Sequence, residues 1–208
     1  MAALVLLAAS WFFVSIAEDV ATGEEIADLD LRVAQWFHPR ANKPLTHAVL
    51  VFTHLHGTAG LIILSLFVAV FMVRKKEWSW LLTLTVAIPG GMLLNVGFKH
   101  IFERARPHFD EPLLTLTTYS FPSGHAAGTT VFYGMLAAYL ISKARPWQWR
   151  ALISTSAVAL VALVALSRLY LGVHYLSDVV AGIAEGIAWL ALIFGVIHAS
   201  HRLNATHN

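Results

Sequence analysis

The sequence predicts an all-α, polytopic membrane protein with six transmembrane helices, and three observations lead there. Of 208 residues, 58% are hydrophobic and only 12% are charged, against ~25% charged in an ordinary soluble domain. Mean hydropathy is +0.68. The apolar residues are gathered into long stretches separated by short polar ones. A chain of this length is expected to be one domain, residues 1–208, embedded almost wholly in a bilayer.

The apolar segments run over residues 2–17, 59–73, 78–96, 123–141, 151–171 and 179–198. A helix rises ~1.5 Å per residue through a hydrocarbon core ~30 Å thick, so ~20 residues span it. The first two segments are short by that measure. Residues 45–56, just before the second, are also apolar and either extend that span or lie along the interface. Ser15-Ile16-Ala17 has the small-x-small form of a cleavage site, but no Lys or Arg precedes the apolar run, so a retained first helix is expected. Residues 29–40, with Leu31, Val33, Trp36 and Phe37 set among charges, read as an interfacial amphipathic segment between the first and second spans. Pro89-Gly90-Gly91 inside the third predicts a kink or a close helix contact. The chain shows no internal repeat and no low-complexity linker.

Several function classes drop out early. The net charge of +2 and the absence of a long basic run argue against a nucleic-acid partner. Without cysteine there are no disulfides, thiolate metal sites or cysteine nucleophiles. Nothing in the sequence sets an oligomeric state.

Three clusters carry the remaining chemistry: Lys99 to Pro107, Pro122 to His125, and Ser167 to Asp178. They read K-x6-R-P, P-S-G-H and S-R-x5-H-x3-D, and ionisable groups at membrane depth are functional candidates by default. With the N-terminus in the cytoplasm, Arg74, Lys75, Lys76, Lys143, Arg145, Arg150 and Arg202 fall inside. Arg32, Arg40, Lys43, Lys99, Arg104, Arg106 and Arg168 fall outside, seven against seven. Setting aside Lys99, Arg106 and Arg168, which belong to the clusters, leaves seven against four, the direction of the positive-inside rule. The same topology puts all three clusters on one face.

Lys99 and Arg106 are seven residues apart, two turns if the helix continues that far, with Pro107 marking its end. Taken alone, they equally suit residues snorkelling from a helix end. Glu103, between them, is placed to pair with Lys99. Pro122-Ser123-Gly124-His125 opens an apolar helix whose free N–H groups and dipole favour an anion. Ser123 adds a hydroxyl, Gly124 allows close approach, and His125 brings a titratable ring. His174 and Asp178 are one turn apart, so the carboxylate can fix the imidazole tautomer and leave the other nitrogen as acceptor or nucleophile. Arg168 offers a planar fork suited to phosphate.

Taken together the three clusters resemble the signature motifs of the type 2 phosphatidic acid phosphatase superfamily, with every signature position filled. The resemblance implies a membrane-embedded, metal-independent lipid phosphatase that needs no cofactor. His174 would form a phosphohistidine, Asp178 would orient it, and His125 would protonate the leaving oxygen. Lys99, Arg106, Arg168, Ser123 and the Gly124 backbone would hold the phosphate. The substrate class is then a lipid phosphomonoester or pyrophosphate among membrane lipids, with phosphatidylglycerophosphate, phosphatidic acid, undecaprenyl pyrophosphate and lipid A phosphates as candidates. A compact chain without disulfides or long loops points to a bacterial plasma membrane, with the site facing the periplasm. Two alternatives stand beside this reading: a vanadium-dependent haloperoxidase, against which the hydrophobicity weighs, and a non-catalytic phosphate-binding or transport protein.

Other residues are assigned bland roles. His54 and His56, and the tail histidines His198, His201 and His207, lack carboxylate or cysteine partners at ligand spacing, so polar roles are expected rather than metal binding. Glu185, seven residues after Asp178, is expected to hydrogen-bond a neighbouring helix.

Overall fold

The protein is described by a computed structural model covering residues 1–23 and 26–206, with side chains as far as Ile197. The reading of His198, His201 and His207 lies outside the described residues. Every described element is helical: α1 (Ala2–Thr22), α2 (Ile26–Phe37), α3 (Lys43–Leu55), α4 (Thr58–Arg74), α5 (Trp78–Phe102), α6 (Gly124–Lys143), α7 (Trp147–Tyr170) and α8 (Leu176–Thr206). A 3-10 turn at His38–Arg40 follows α2.

Many large apolar side chains are exposed on helix surfaces, while several charged ones are buried inside the bundle. Trp11, Phe67, Leu93 and Val158 are exposed on helix surfaces, whereas Asp30, Arg168, His174, Asp178 and Glu185 are buried. That inversion suits a lipid surround, where backbone groups are satisfied within helices and polar side chains must find partners inside.

Among the described helices, α1, α5, α7 and Leu176–Ile197 of α8 are each long and apolar enough to cross a membrane. The pair α3 and α4, bent by 52°, meets the same requirement together, giving four spans or five. The six expected from sequence therefore meet a different count, and α6 accounts for the difference. It has 20 residues, but Thr129, Thr130, Tyr133, Tyr139 and its glycines dilute its apolarity. It packs on α4, α5, α7 and α8, so much of its surface meets protein rather than lipid.

The short second segment is completed by the apolar stretch before it, across a break at His56-Gly57. Gly60 permits that bend, because a Cβ there would lie 2.1 Å from the Leu55 carbonyl oxygen. Pro89 lies inside an α5 that runs unbroken. Gly90 and Gly91 give close packing, with a Cβ on Gly90 falling 2.4 Å from the Trp189 ring. The Trp189 indole donates to the Ala87 carbonyl at 2.9 Å. The expected amphipathic segment is a helix, but over Ile26–Phe37. Val33 and Phe37 pack against Ala165 and Leu169 of α7, while Leu31 and Trp36 remain exposed.

Helices α6 and α8 approach through Gly182 and Gly186, a small-xxx-small face. A Cβ on Gly182 would lie 2.5 Å from the Ser123 carbonyl oxygen, and one on Gly186 2.7 Å from Thr130 Cβ. Gly182→Ala is expected to cost about 1–3 kcal/mol of stability through overpacking. Since the clash is with Ser123 backbone, it should also lower activity, measured as thermal unfolding and turnover in the same detergent. An unchanged variant would show that the two helices can part freely.

Candidate active site

Helix ends bring the three clusters together. The C-termini of α5 and α7 and the N-termini of α6 and α8 meet at one end of the bundle, each carrying part of the chemistry. Lys99 is in the last turn of α5, Ser123 caps α6, Arg168 is in the last turn of α7, and Asp178 is in the first turn of α8. His174 lies in the turn between α7 and α8. All eight nominated residues are placed in this region. Lys99, Arg106, Gly124, His125 and His174 line a cavity of about 310 Å³, whose walls also include Leu61 and Met92.

His174 is buried and held on both sides. Nδ1 is 3.2 Å from Asp178 Oδ2, and Nε2 is 3.2 Å from Arg106 Nη1. A guanidinium has only protons to give, so Nε2 must be the acceptor and Nδ1 carries the proton toward Asp178. Burial pushes the His174 pKa down to about 3, overcoming the upward pull of Asp178, so the ring is neutral near pH 7 with its Nε2 lone pair turned to Arg106. Asp178 is itself crowded with donors. It accepts from Ser120 Oγ, from Tyr175 N at 2.9 Å and from Arg104 Nη1 at 2.6 Å.

The path from Lys99 to Arg106 is a correction to the two-turn expectation. Helix α5 stops at Phe102, Glu103 turns the chain with φ 44°, and Arg106 arrives from the irregular segment that follows. Glu103 does not pair with Lys99; it accepts from the Tyr119 hydroxyl at 2.9 Å. Lys99 Nζ instead donates to the carbonyls of Tyr119 (2.8 Å), Ser120 (3.2 Å) and Pro122 (2.7 Å). Arg106 is equally engaged. Nε donates to Thr118 O, Nη1 to Val173 O and His174, and Nη2 to Thr118 Oγ1 and Tyr119 O. Burial lowers the Arg106 pKa against the pull of Asp178.

Donors without partners are found elsewhere. Arg168 is buried, Nη1 donates to Thr53 Oγ1 at 2.7 Å, and Nε and Nη2 have no partner among the described residues. Ser123 Oγ is likewise buried and unpartnered. Its backbone N–H donates to the Asp178 carbonyl at 2.9 Å, which ties the starts of α6 and α8 together. The first-turn amides of α6 lack intrahelical acceptors, as at any helix start. A Cβ on Gly124 would lie 2.9 Å from Asn95 Oδ1, so a larger residue here would have to displace the Asn95 amide.

Sequence reasoning missed Arg104, Asp30, Ser120 and Thr53. Arg104 bridges Asp178 and Asp30, the latter at 2.8 Å. Burial alone would lower its pKa, but Asp178 and Asp30 together raise it. Asp30 also accepts from Ser177 N at 2.9 Å and from Ser177 Oγ. A signal for Asp30 existed: a carboxylate on the same face of an amphipathic helix as Val33, Ala34 and Phe37 needs a buried cation. Among the other candidates, His54 Nδ1 lies 2.6 Å from Leu50 O. His56 lies 2.8 Å from Phe52 O and 2.7 Å from the Tyr133 hydroxyl. Glu185 accepts from Asn95 Nδ2 on α5 at 2.8 Å.

Comparison with known proteins gives a consistent neighbourhood. Residues 78–202 match the PAP2 superfamily. Phosphatidylglycerophosphatase B of Bacillus subtilis is 33% identical over 154 residues, 73% of this chain and 74% of that protein. Decaprenylphosphoryl-5-phosphoribose phosphatase of Mycobacterium tuberculosis is 35% identical over 145 residues, 66% of this chain and 71% of that protein. The crystal structure of a transmembrane PAP2 type phosphatidylglycerolphosphate phosphatase from Bacillus subtilis superposes with a TM-score of 0.84 at 27% identity, covering 93% of this chain and 96% of that one.

Proposed function

This chain belongs to the PAP2 superfamily and is a multi-pass membrane phosphoric ester hydrolase acting on lipid phosphates, and from that premise we propose that it works through a phosphohistidine at His174. The observation that carries the proposal is the His174 ring, which lines the cavity with Nδ1 held by Asp178 and Nε2 facing Arg106, another cavity-lining residue. In this mechanism Nε2 attacks phosphorus, and the bond to the lipid oxygen breaks as His125 delivers a proton to it. Water, deprotonated by His125, then attacks the phosphohistidine, releasing inorganic phosphate and restoring Nε2. The Arg168 Nε/Nη2 edge, Ser123 Oγ and the first amides of α6 bind the non-bridging oxygens. Lys99 supplies field from a fixed position, part of the electrostatic stabilisation that phosphoryl transfer requires. Arg106 Nη1 releases Nε2 and turns its N–H to a phosphate oxygen as the nucleophile advances.

The substrate we favour is phosphatidylglycerophosphate, supported by the relative and the crystal structure of that activity. The cavity, polar at the phosphate end and apolar at Leu61 and Met92, suits a headgroup on an acyl chain. We also place α6 as a sixth span, the chain as one catalytic domain in a bacterial plasma membrane, and the site on the periplasmic side. The test is phosphate release from detergent-purified protein in EDTA. Phosphatidylglycerophosphate, phosphatidic acid, undecaprenyl pyrophosphate and a soluble phosphate ester are offered in turn. Release that is fastest from phosphatidylglycerophosphate and indifferent to EDTA is expected. Loss of release in EDTA would defeat the metal-independent mechanism, and preference for another lipid would reassign the substrate.

A further inference from the structure

Thr53 lies outside the three clusters and outside the matched residues 78–202, yet it touches the site at more than one point. It is buried in the last turn of α3, just before the break that bends the α3–α4 pair. Its hydroxyl accepts from Arg168 Nη1 at 2.7 Å and lies 3.2 Å from Ser167 Oγ. Its carbonyl interacts with the His125 imidazole. Because α3 ends at Leu55, that carbonyl has no i+4 helical partner, and the His56 amide donates to it at 3.1 Å. The chain beyond the break stays close to the same ring, since a Cβ on Gly57 would lie 3.3 Å from His125 Nε2.

We propose that Thr53 is a positioning residue for the phosphate clamp, with Ser167 as its orienting partner. Ser167 Oγ is 2.6 Å from the Val164 carbonyl and gives its proton there. Ser167 Oγ also lies in donating geometry 3.2 Å from Thr53 Oγ1, a second contact that holds the Thr53 hydroxyl with a lone pair toward Arg168. Anchoring Arg168 by Nη1 leaves the opposite edge free, where Nε and Nη2 present parallel N–H groups, the geometry a tetrahedral oxyanion accepts side-on. This gives Ser167 of the third motif a task that the chemistry of the site left open. It also gives the helix break one: an unbroken helix would return the Thr53 carbonyl to its own backbone.

The inference rests on the phosphatase reading, and the experiment separates the two. Inhibition by orthovanadate, a mimic of the transferring phosphoryl group, is measured together with KM and kcat for wild type, Thr53→Val, Thr53→Ser and Ser167→Ala. Thermal unfolding of each is recorded in the same detergent. Thr53→Val keeps shape and carbonyl but loses the acceptor, so vanadate inhibition and KM are expected to weaken about tenfold. Thr53→Ser should restore both, and Ser167→Ala should move both in the same direction as Thr53→Val. In an Arg168→Lys background Thr53→Val should add little, the signature of a shared interaction. Thr53→Val that lowers only the unfolding temperature, or that adds fully to Arg168→Lys, overturns the proposal. If Thr53→Val does not fold, an unchanged vanadate response in Ser167→Ala does the same. A wild type that neither turns over nor responds to vanadate removes the phosphatase reading and the inference with it.

Discussion

His174→Ala is expected to lower turnover by at least about 10,000-fold, the scale seen when the nucleophile of a catalytic unit is removed, while the protein remains folded. The ring is buried but fills space beside a cavity, so its loss enlarges that cavity without leaving a charge unpaired. Asp178 keeps Ser120, Tyr175 N and Arg104 as donors. The loss should be in kcat, since the clamp formed by Arg168 and the start of α6 is untouched. A second measurement makes the assignment specific. With an aryl phosphate, whose leaving oxygen needs no proton, His125→Ala should accumulate an acid-labile phosphoprotein, because attack proceeds and hydrolysis stalls. His174→Ala should yield none. Phosphoprotein in the His174 variant would move the nucleophile elsewhere.

Arg104→Leu should be the most destabilising single change in the molecule, at about 3–5 kcal/mol, the cost of removing one member of a buried charge network. Its guanidinium joins Asp178 Oδ1 at 2.6 Å to Asp30 Oδ2 at 2.8 Å, and both carboxylates are almost fully buried. Removal leaves two negative charges facing each other across an apolar side chain. A stability of about 5–15 kcal/mol in total makes that a large fraction. Arg104→Lys keeps the charge but cannot bridge two carboxylates with a planar fork, so an intermediate loss is expected. Adding Asp30→Asn to Arg104→Leu should recover part of it. Unfolding temperature and detergent-extracted yield report the effect, and an Arg104→Leu protein as stable as wild type would mean that the bridge carries no net energy.

The eight nominated residues, which the structure gathers at one end of the bundle, stood out because their chemistry is scarce in such a chain. A His–Asp pair one turn apart, a glycine at a helix start and cations near span ends have few other uses in a membrane protein. What they do individually was less legible. Spacing made Lys99 and Arg106 two residues of one helix, but Glu103 ends that helix and the irregular segment after it brings Arg106 back. Composition counted three cations for the phosphate, whereas Lys99 and Arg106 have their protons engaged by carbonyls, a threonine hydroxyl and His174. Backbone acceptors in an irregular loop leave no trace in residue type. Thr53 is invisible for a related reason: a single threonine in an apolar helix carries no periodic signal, and its partner is 115 positions away. The expected six spans and the four or five long apolar helices among the described residues differ at α6, a helix enclosed by its neighbours that carries threonine, tyrosine and glycine.

The carbonyls of Tyr119, Ser120 and Pro122 gathered around Lys99 Nζ bear on how the protein lets go. An ammonium left bare beside a cavity would hold any small anion tightly, including the inorganic phosphate that each cycle liberates. Here the loop is a standing competitor at full occupancy, tethered and always within reach. An anion must displace part of it to gain the cation, and the loop closes again as the anion drifts out. The same three oxygens that organise the lysine are therefore expected to weaken product inhibition, an outcome that the inhibition constant of inorganic phosphate would read.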